Sequence, residues 1–317
     1  MLSHRKTWLC GVVLLIFPRV VVAGGPGEPV KAPFEITYHA STSEVRLTFF
    51  TTDERNSTIQ TVSKNDFAVV DGDMIVRNFR SLTRSGETAL DVIVLVDASG
   101  SVASRLPSMM NDVARLVGQT NTGGNIHVSV LAFGGLQTSV LCSLDCGSAD
   151  ATRKMLELRA GGPTPLYDAL AYSADFFSDR GMVDARRVVV LFSDGDDTIS
   201  KTSSEDALRA VVASGALVYS VDLKATGKGV KKGTGGSSSG SSTLRHIAEA
   251  SGGRYFSGGG QPSDALAAAL DDLRASYVVT YELPRNSTGF HSLRILPTYN
   301  PNLQFHCRAG YYYASAP

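Results

Sequence analysis

The sequence carries no excess of charge of either sign: 30 Lys and Arg balance 30 Asp and Glu among 317 residues. No dense basic block stands out either. Nothing in the chain is built to displace counterions from a phosphate backbone, which argues against a nucleic-acid surface. Long apolar runs are also missing. The stretch "WLCGVVLLIF" (Trp8–Phe17) is broken by Pro18 and Arg19, well short of the ~20 residues of a membrane helix. Cysteine is scarce, at four residues, and no second close Cys/His pair completes the four-ligand set of a zinc site. No Walker A or dinucleotide fingerprint is present. The "GSSSG" of 236–240 formally fits Gly-x-Ser-x-Gly, but it lies in low-complexity sequence without a strand-to-helix elbow, so a hydrolase nucleophile is rejected there.

What is there is ordinary for a soluble globular chain, at 43% hydrophobic and 19% charged residues. The first 23 residues read as a signal peptide: Arg5 and Lys6, then the apolar core, then "VVA" ending at Ala23 before a cut. The mature chain is expected to be secreted or periplasmic, without a permanent membrane span. Cys142 and Cys146 in "CSLDC" are spaced for a local disulfide in an oxidising compartment. Cys307 is then either a buried thiol or the true partner of one of them.

Periodicity divides the rest. Residues 30–88 are strand-rich, with "EVRLTFF" (Glu44–Phe50) and "DFAVVDG" followed by "MIVRNF" as two strands about an acidic turn. In the middle, aliphatic runs alternate with helical patterns. "DVIVLV", "IHVSVLAF", "RRVVVLF" and "ALVYSVDL" are strands. Helices are expected over 102–117, 166–177, 205–212, 244–250 and 265–275. "TSVLC" reads as a hairpin return at the sheet edge. This is a doubly wound, mostly parallel α/β sheet covered by helices on both faces. The Gly/Ser-rich 224–242 reads as a mobile loop. Strands resume after Ala275 and end in "CRAGYYYA". Each flank is short for its own core, so 30–88 and 277–317 are expected to pair as one small antiparallel β-domain, with Tyr311–Tyr313 closing its core.

In "VIVLVDASGSV" a buried strand delivers Asp97, then Ser99 and Ser101 around Gly100. Ligands bind beyond the carboxyl ends of strands in such sheets, and three hard oxygens there suit a divalent cation. The plain alternative is that they cap the next helix. "GGPTPLYDAL" adds Thr164 ahead of Pro165, which fits the first helical position and makes Thr164 the natural cap. "VVVLFSDGDD" ends another buried strand in Ser193 and Asp194, a second carboxylate on the same edge. Asp196 and Asp197 read as solvated loop charge.

The Asp-x-Ser-x-Ser turn, the threonine and the later aspartate together resemble the metal-ion-dependent adhesion site of von Willebrand factor type A domains. The resemblance implies such a domain over 89–276, with one cation held by Asp97, Ser99, Ser101, Thr164 and Asp194. Mg2+ is expected first, with Mn2+ or Ca2+ as alternatives. More narrowly, "VSKNDFAVVDG" with Phe79 downstream, "TPLYDAL", "SDGDD" and "CRAGYYYA" resemble a family of exported bacterial proteins, first recognised in acidobacteria, built on this domain.

What the resemblance implies is cation-bridged recognition of a Glu or Asp carboxylate on a partner protein, with helix N-termini favouring the anion. The loops 135–148 and 224–242 would choose the partner. No catalytic residue is expected. Ser99 stands where a haloacid-dehalogenase-like phosphatase would place its second carboxylate, and His127, His246, His291 and His306 are scattered. The alternatives are a metal-dependent hydrolase and a structural envelope protein. Two Asn-x-Ser/Thr sequons, at Asn56 and Asn286, matter only in a host that glycosylates asparagine.

Overall fold

The structure is a computed structural model. It describes residues 44–313 except 56, 60, 86–88, 121–124, 144–145, 183–184, 225–238, 258–261 and 284–287. The signal segment, both sequon asparagines and most of the Gly/Ser-rich loop lie outside the described residues.

In chain order the N-terminal flank supplies β1 (Glu44–Thr52), β2 (Phe67–Asp71), β3 (Met74–Val76) and β4 (Ser81–Arg84). The middle follows with β5 (Leu90–Asp97), α1 (Leu106–Thr120), β6 (Ile126–Gly134), β7 (Gln137–Cys142), α2 (Ala149–Glu157) and α3 (Leu166–Asp179). It continues through β8 (Arg186–Ser193), α4 (Ser204–Ser214), β9 (Leu217–Asp222), α5 (Ser239–Ser251), β10 (Tyr255–Phe256) and α6 (Pro262–Arg274). The C-terminal flank adds β11 (Tyr277–Glu282), β12 (Gly289–Pro297), β13 (Gln304–Cys307) and β14 (Gly310–Tyr313).

The middle forms a six-stranded sheet in the order β10-β9-β8-β5-β6-β7, parallel except for β7. β5 and β8 are buried along both faces, which is why they read as unbroken aliphatic runs rather than alternating ones. Along β5, Val92, Val94 and Val96 join the core under α1, α2 and α6, whereas Ile93 and Leu95 join that under α3, α4 and α5. Truncating Leu95 to alanine in such a core costs about 2–5 kcal/mol. Helix ends follow local chemistry: the Ser148 and Ser203 hydroxyls accept from Ala151 N and Asp206 N, and Gly215 ends α4 at φ +73°.

Three readings need correction. The helix expected from Val102 begins at Leu106, because Gly100–Val102 close a single 3₁₀ turn first. α2 and β4 carry too few buried apolar residues to be read from pattern. The Gly/Ser segment is helical from Ser239 onward, with Gly240 buried.

The flanks interleave as two four-stranded antiparallel sheets, ordered β13-β1-β11-β4 and β14-β12-β2-β3. They share a core of Leu47, Phe49, Phe67, Val69, Val279, Tyr281 and Leu293. Buried Asp71 ties the sheets together. It accepts from Tyr281 at 2.9 Å and Tyr311 at 2.8 Å, and sits 3.1 Å from His291 Nδ1. Burial first, and then the Asp71 charge, push the Tyr281 phenol far above its usual range; burial and the Asp71 contact do the same at Tyr311. Tyr311 thus closes the core, while Tyr312 accepts a 3.0 Å hydrogen bond from Arg209 of α4.

The sandwich also packs on the α/β unit. Asp272 of α6 takes Arg254 through both oxygens, at 3.0 and 3.1 Å, and Thr58 at 2.6 Å. Phe50 stacks on His306 at 4.6 Å and on Tyr219 at 6.4 Å. Cys142 and Cys146 form the local disulfide, and Cys307 is a free thiol whose burial pushes its acid up to about 12.

Candidate metal centre

The site begins with strand register. Asp97 ends β5 beside Ser193, the last residue of β8, and both belong to the face that buries Ile93, Leu95, Val189 and Leu191. The Asp97 carboxylate turns back on its own loop. Oδ1 accepts from Ser99 N at 2.8 Å, and Oδ2 accepts from the Ser193 hydroxyl at 2.7 Å. The Ser99 and Ser101 hydroxyls meet at 3.0 Å. Asp97 and Ser99 are buried, and Ser101 is exposed.

Backbone contacts bring the threonine loop to this turn. Gly161 N donates to Ala98 O at 2.8 Å and Gly100 N to Gly162 O at 3.1 Å. From the β6–β7 turn, Gly135 N donates to Pro163 O at 2.9 Å. The fit requires missing side chains: a Cβ on Gly134 would lie 2.8 Å from Ala98 O, and one on Gly162 would lie 2.8 Å from Gly135 Cα. Thr164, buried, ends this loop. Its N–H donates to Thr198 Oγ1 at 2.7 Å, and its carbonyl accepts from Thr198 N at 2.9 Å. The loops carrying Asp97, Ser99, Ser101, Thr164 and Asp194 therefore converge at one edge of the sheet.

Thr164 is not the helix cap that the sequence leads one to expect. α3 starts at Leu166, and Pro165 occupies the cap position without a side-chain hydrogen bond. The first free N–H groups are taken from another loop. Tyr167 N and Asp168 N donate to the Ser200 hydroxyl at 3.0 and 3.1 Å, and Tyr167 N reaches Asp197 Oδ1 at 3.4 Å. Asp197 is consequently a structural cap rather than solvated charge, and Asp196 pairs with Lys224 at 3.2 Å. Asp168 latches the same loop by accepting from Thr202 N at 2.8 Å and from Lys201 N at 3.1 Å. Partial burial pushes its acid up, but the hydrogen bonds from Thr202 and Lys201 outweigh that and hold it low. Sequence reasoning missed this latch; the density of Asp and Ser in "SDGDDTIS" was the available signal.

Electrostatics distinguish the remaining carboxylates. Burial pushes the Asp97 acid up, the Ser99 and Ser193 hydrogen bonds pull it down, and the nearby Asp194 charge pushes it up again. Asp194 is also buried and accepts from Asp196 N at 3.3 Å. Neither carboxylate has a cationic side-chain partner among the described residues. Nor do three His, Cys, Asp or Glu side chains gather anywhere among them as a metal cluster. Two carboxylates and three hydroxyls would make a hard, all-oxygen donor set, of the kind that suits a small divalent ion and not a soft one. His291 and His306 lie in the sandwich, and neither belongs to this edge.

Residues 92–196, from β5 through the Asp194 loop, match the model of the von Willebrand factor type A domain. The match does not include the flanking strands, on which the narrower likeness to exported bacterial proteins rests. No curated protein matches the chain. Among solved structures, BatB from Bacteroides thetaiotaomicron is similar at 16% identity over 59% of this chain and 98% of that one, with a TM-score of 0.44. A von Willebrand factor type A protein from Catenulispora acidiphila is 16% identical over 80% of this chain and 65% of its own, with a TM-score of 0.43. Manganese-loaded TRAP from Plasmodium vivax is 17% identical over 76% and 97%, with a TM-score of 0.41. With the parallel sheet, its helical layers and the three converging loops, the match over 92–196 establishes that this chain contains a von Willebrand factor type A domain.

Proposed function

We propose that the chain is an exported, divalent-cation-dependent protein-binding module that captures an acidic residue of a partner. One observation carries the reading: Asp97 and Asp194 are both buried, the Asp194 charge raises the Asp97 acid, and among the described residues neither forms an ion pair, the nearby Lys224 pairing with Asp196 instead. Leaving such a pair uncompensated is costly, and a dication at that point relieves it. Asp97, Ser99, Ser101, Thr164 and Asp194 would hold the ion, Mg2+ first, with Mn2+ or Ca2+ as alternatives. When bound, the ion supplies a hard acceptor position for a carboxylate oxygen.

The chain's own residues do the positioning. Ser193 and Ser99 N fix the Asp97 carboxylate from two sides, and Thr198 clamps the backbone of Thr164. At the N-terminus of α3 the Tyr167 and Asp168 N–H groups are already taken by Ser200 and Asp197, so they are not offered to the anion. The reading is of a binder and not an enzyme: it assigns no general base or nucleophile to this edge. Export is supported by the signal-like 1–23 and by the Cys142–Cys146 disulfide, a bond that persists in oxidising compartments. Among the described residues no helix is long and apolar enough to cross a membrane.

The test is capture from native envelope extract by immobilised protein, with Mg2+ or Mn2+, with EDTA, and with Asp97→Ala in parallel. A partner retained by the wild type and lost in both other arms supports the reading. Equal capture in all three would leave a structural protein, and turnover of phosphoesters or peptides with Mn2+ would leave a hydrolase.

A further inference from the structure

Two large apolar side chains stand in water on either side of the candidate centre. Leu136 is 84% exposed and Ile199 is 41% exposed. Their places follow from the sheet. β5 carries the Asp97 turn; β6 lies on one side of it and β8 on the other. Leu136 sits in the turn after β6, next to Gly135, whose N–H holds Pro163 O. Ile199 sits in the loop after β8, next to Thr198, whose N–H and hydroxyl hold Thr164. Each therefore borders the loop 161–164 from an opposite edge.

Between them the surface has almost no side chain. Gly100, Ser101, Gly161, Gly162 and Pro163 are exposed, and a backbone can approach such a floor closely. Polar side chains rim this floor: exposed Gln137 follows Leu136, exposed Thr198 precedes Ile199, and half-exposed Asp196 pairs with Lys224.

An exposed leucine contributes nothing to folding, and single exposed apolar residues are common. Two of them flanking a low, side-chain-poor floor that includes a proposed ligand position form a continuous apolar–oxygen–apolar strip. Resting on the proposed carboxylate capture, we infer that Leu136 and Ile199 are specificity residues. They select an extended partner segment in which a single acidic residue is flanked by aliphatic side chains. Strands two apart in a sheet are separated by about 10 Å, and residues at i−2 and i+2 of an extended segment share the face of residue i across about 13 Å. An acidic residue with leucine-sized neighbours at i±2 therefore meets all three positions. A run of acidic residues does not, because it sets its extra charges against the apolar side chains on both edges.

The experiment uses three peptides, acetyl-LSESL-amide, acetyl-SSESS-amide and acetyl-ESESE-amide, titrated by NMR into the protein in Mg2+, with Mn2+ uptake followed separately by calorimetry. The leucine peptide is expected to bind at least about tenfold tighter than the other two, the worth of partly burying two aliphatic side chains. The L136S/I199S variant is expected to keep Mn2+ uptake and SSESS binding while losing that preference. Equal affinity for LSESL and SSESS, or a preference that survives in L136S/I199S, overturns this inference and leaves carboxylate capture standing. Mn2+ uptake without binding of any peptide overturns carboxylate capture, and this inference with it.

Discussion

Replacing Gly162 with alanine tests whether the loops around the candidate centre are held together as described. The new Cβ would lie 2.8 Å from Gly135 Cα and 3.1 Å from Gly135 N, and Gly162 has φ +74°. The obstacle is backbone, so no side chain can rotate away. Holding a residue with a Cβ in the left-handed region costs about 1–2 kcal/mol, and forced overpacking adds about 1–3 kcal/mol. A loss of about 2–5 kcal/mol is expected. Relief requires the 161–164 loop to part from the β6–β7 turn, breaking the Gly135–Pro163 bond and shifting Thr164. Gly161→Ala is the control: a Cβ there meets nothing within 4 Å, so its effect should stay within about 0.5 kcal/mol. Urea denaturation in EDTA measures both variants, and calorimetric Mn2+ titration should show affinity at least tenfold lower for Gly162→Ala alone. Indistinguishable curves for the two variants would refute the account of how the loops are clamped.

Saturating Mg2+ or Mn2+ at about a hundred times its dissociation constant should add about 2.7 kcal/mol, a Tm rise of roughly 5–10 °C for a domain of this size. Asp97→Asn should abolish the rise in a thermal melt. His306 is held neutral by burial and then by the Arg254 charge, its pKa lowered to about 4. The unfolded chain takes up its proton near pH 6.5, so stability is full above that and falls as the pH drops from 6.5 to 4. The fall is at most about 1.4 kcal/mol per pH unit, about 3 kcal/mol in all. Urea midpoints across that window should be flatter for His306→Gln. Opening the short Cys142–Cys146 loop should cost about 2 kcal/mol. Urea curves with and without reductant should show it, and the C142S/C146S variant should be insensitive to reductant.

The parallel sheet was legible because burial on both faces leaves unbroken aliphatic runs, as in β5 and β8. The hairpin return of β7 and the local disulfide were equally visible, since both depend on residues close in sequence. Elements with a thin apolar signature escaped. α2 buries only Ala151 and Met155, and β4 is the half-polar "SLTR". That the loops carrying Asp97, Thr164 and Asp194 lie at one end of the strands was legible from their positions at strand ends, but what holds those loops together was not. Ser200 and Asp197 cap α3 from 33 and 30 residues away, displacing Thr164 from a role that local sequence alone assigns to it. Local sequence puts Gly240 in a mobile loop because nothing nearby reveals that its helix must approach the backbone of Asp194 too closely for any side chain.

The interleaved flanks also set an order of events. Glu44 lies opposite Glu282, and Thr52 opposite Gln304, so beyond a local bridge to Thr58 the strand β1 has no partner strand until β11 and β13 exist. The chain emerges N-terminus first, and about 230 further residues must follow β1 before β11 is complete beside it. The α/β unit can complete itself in that interval, and the sandwich closes only when the tail arrives. Removing β13 and β14 would therefore do more than shorten the chain. It would leave a finished module tethered to an open sheet edge, ready to pair with another copy.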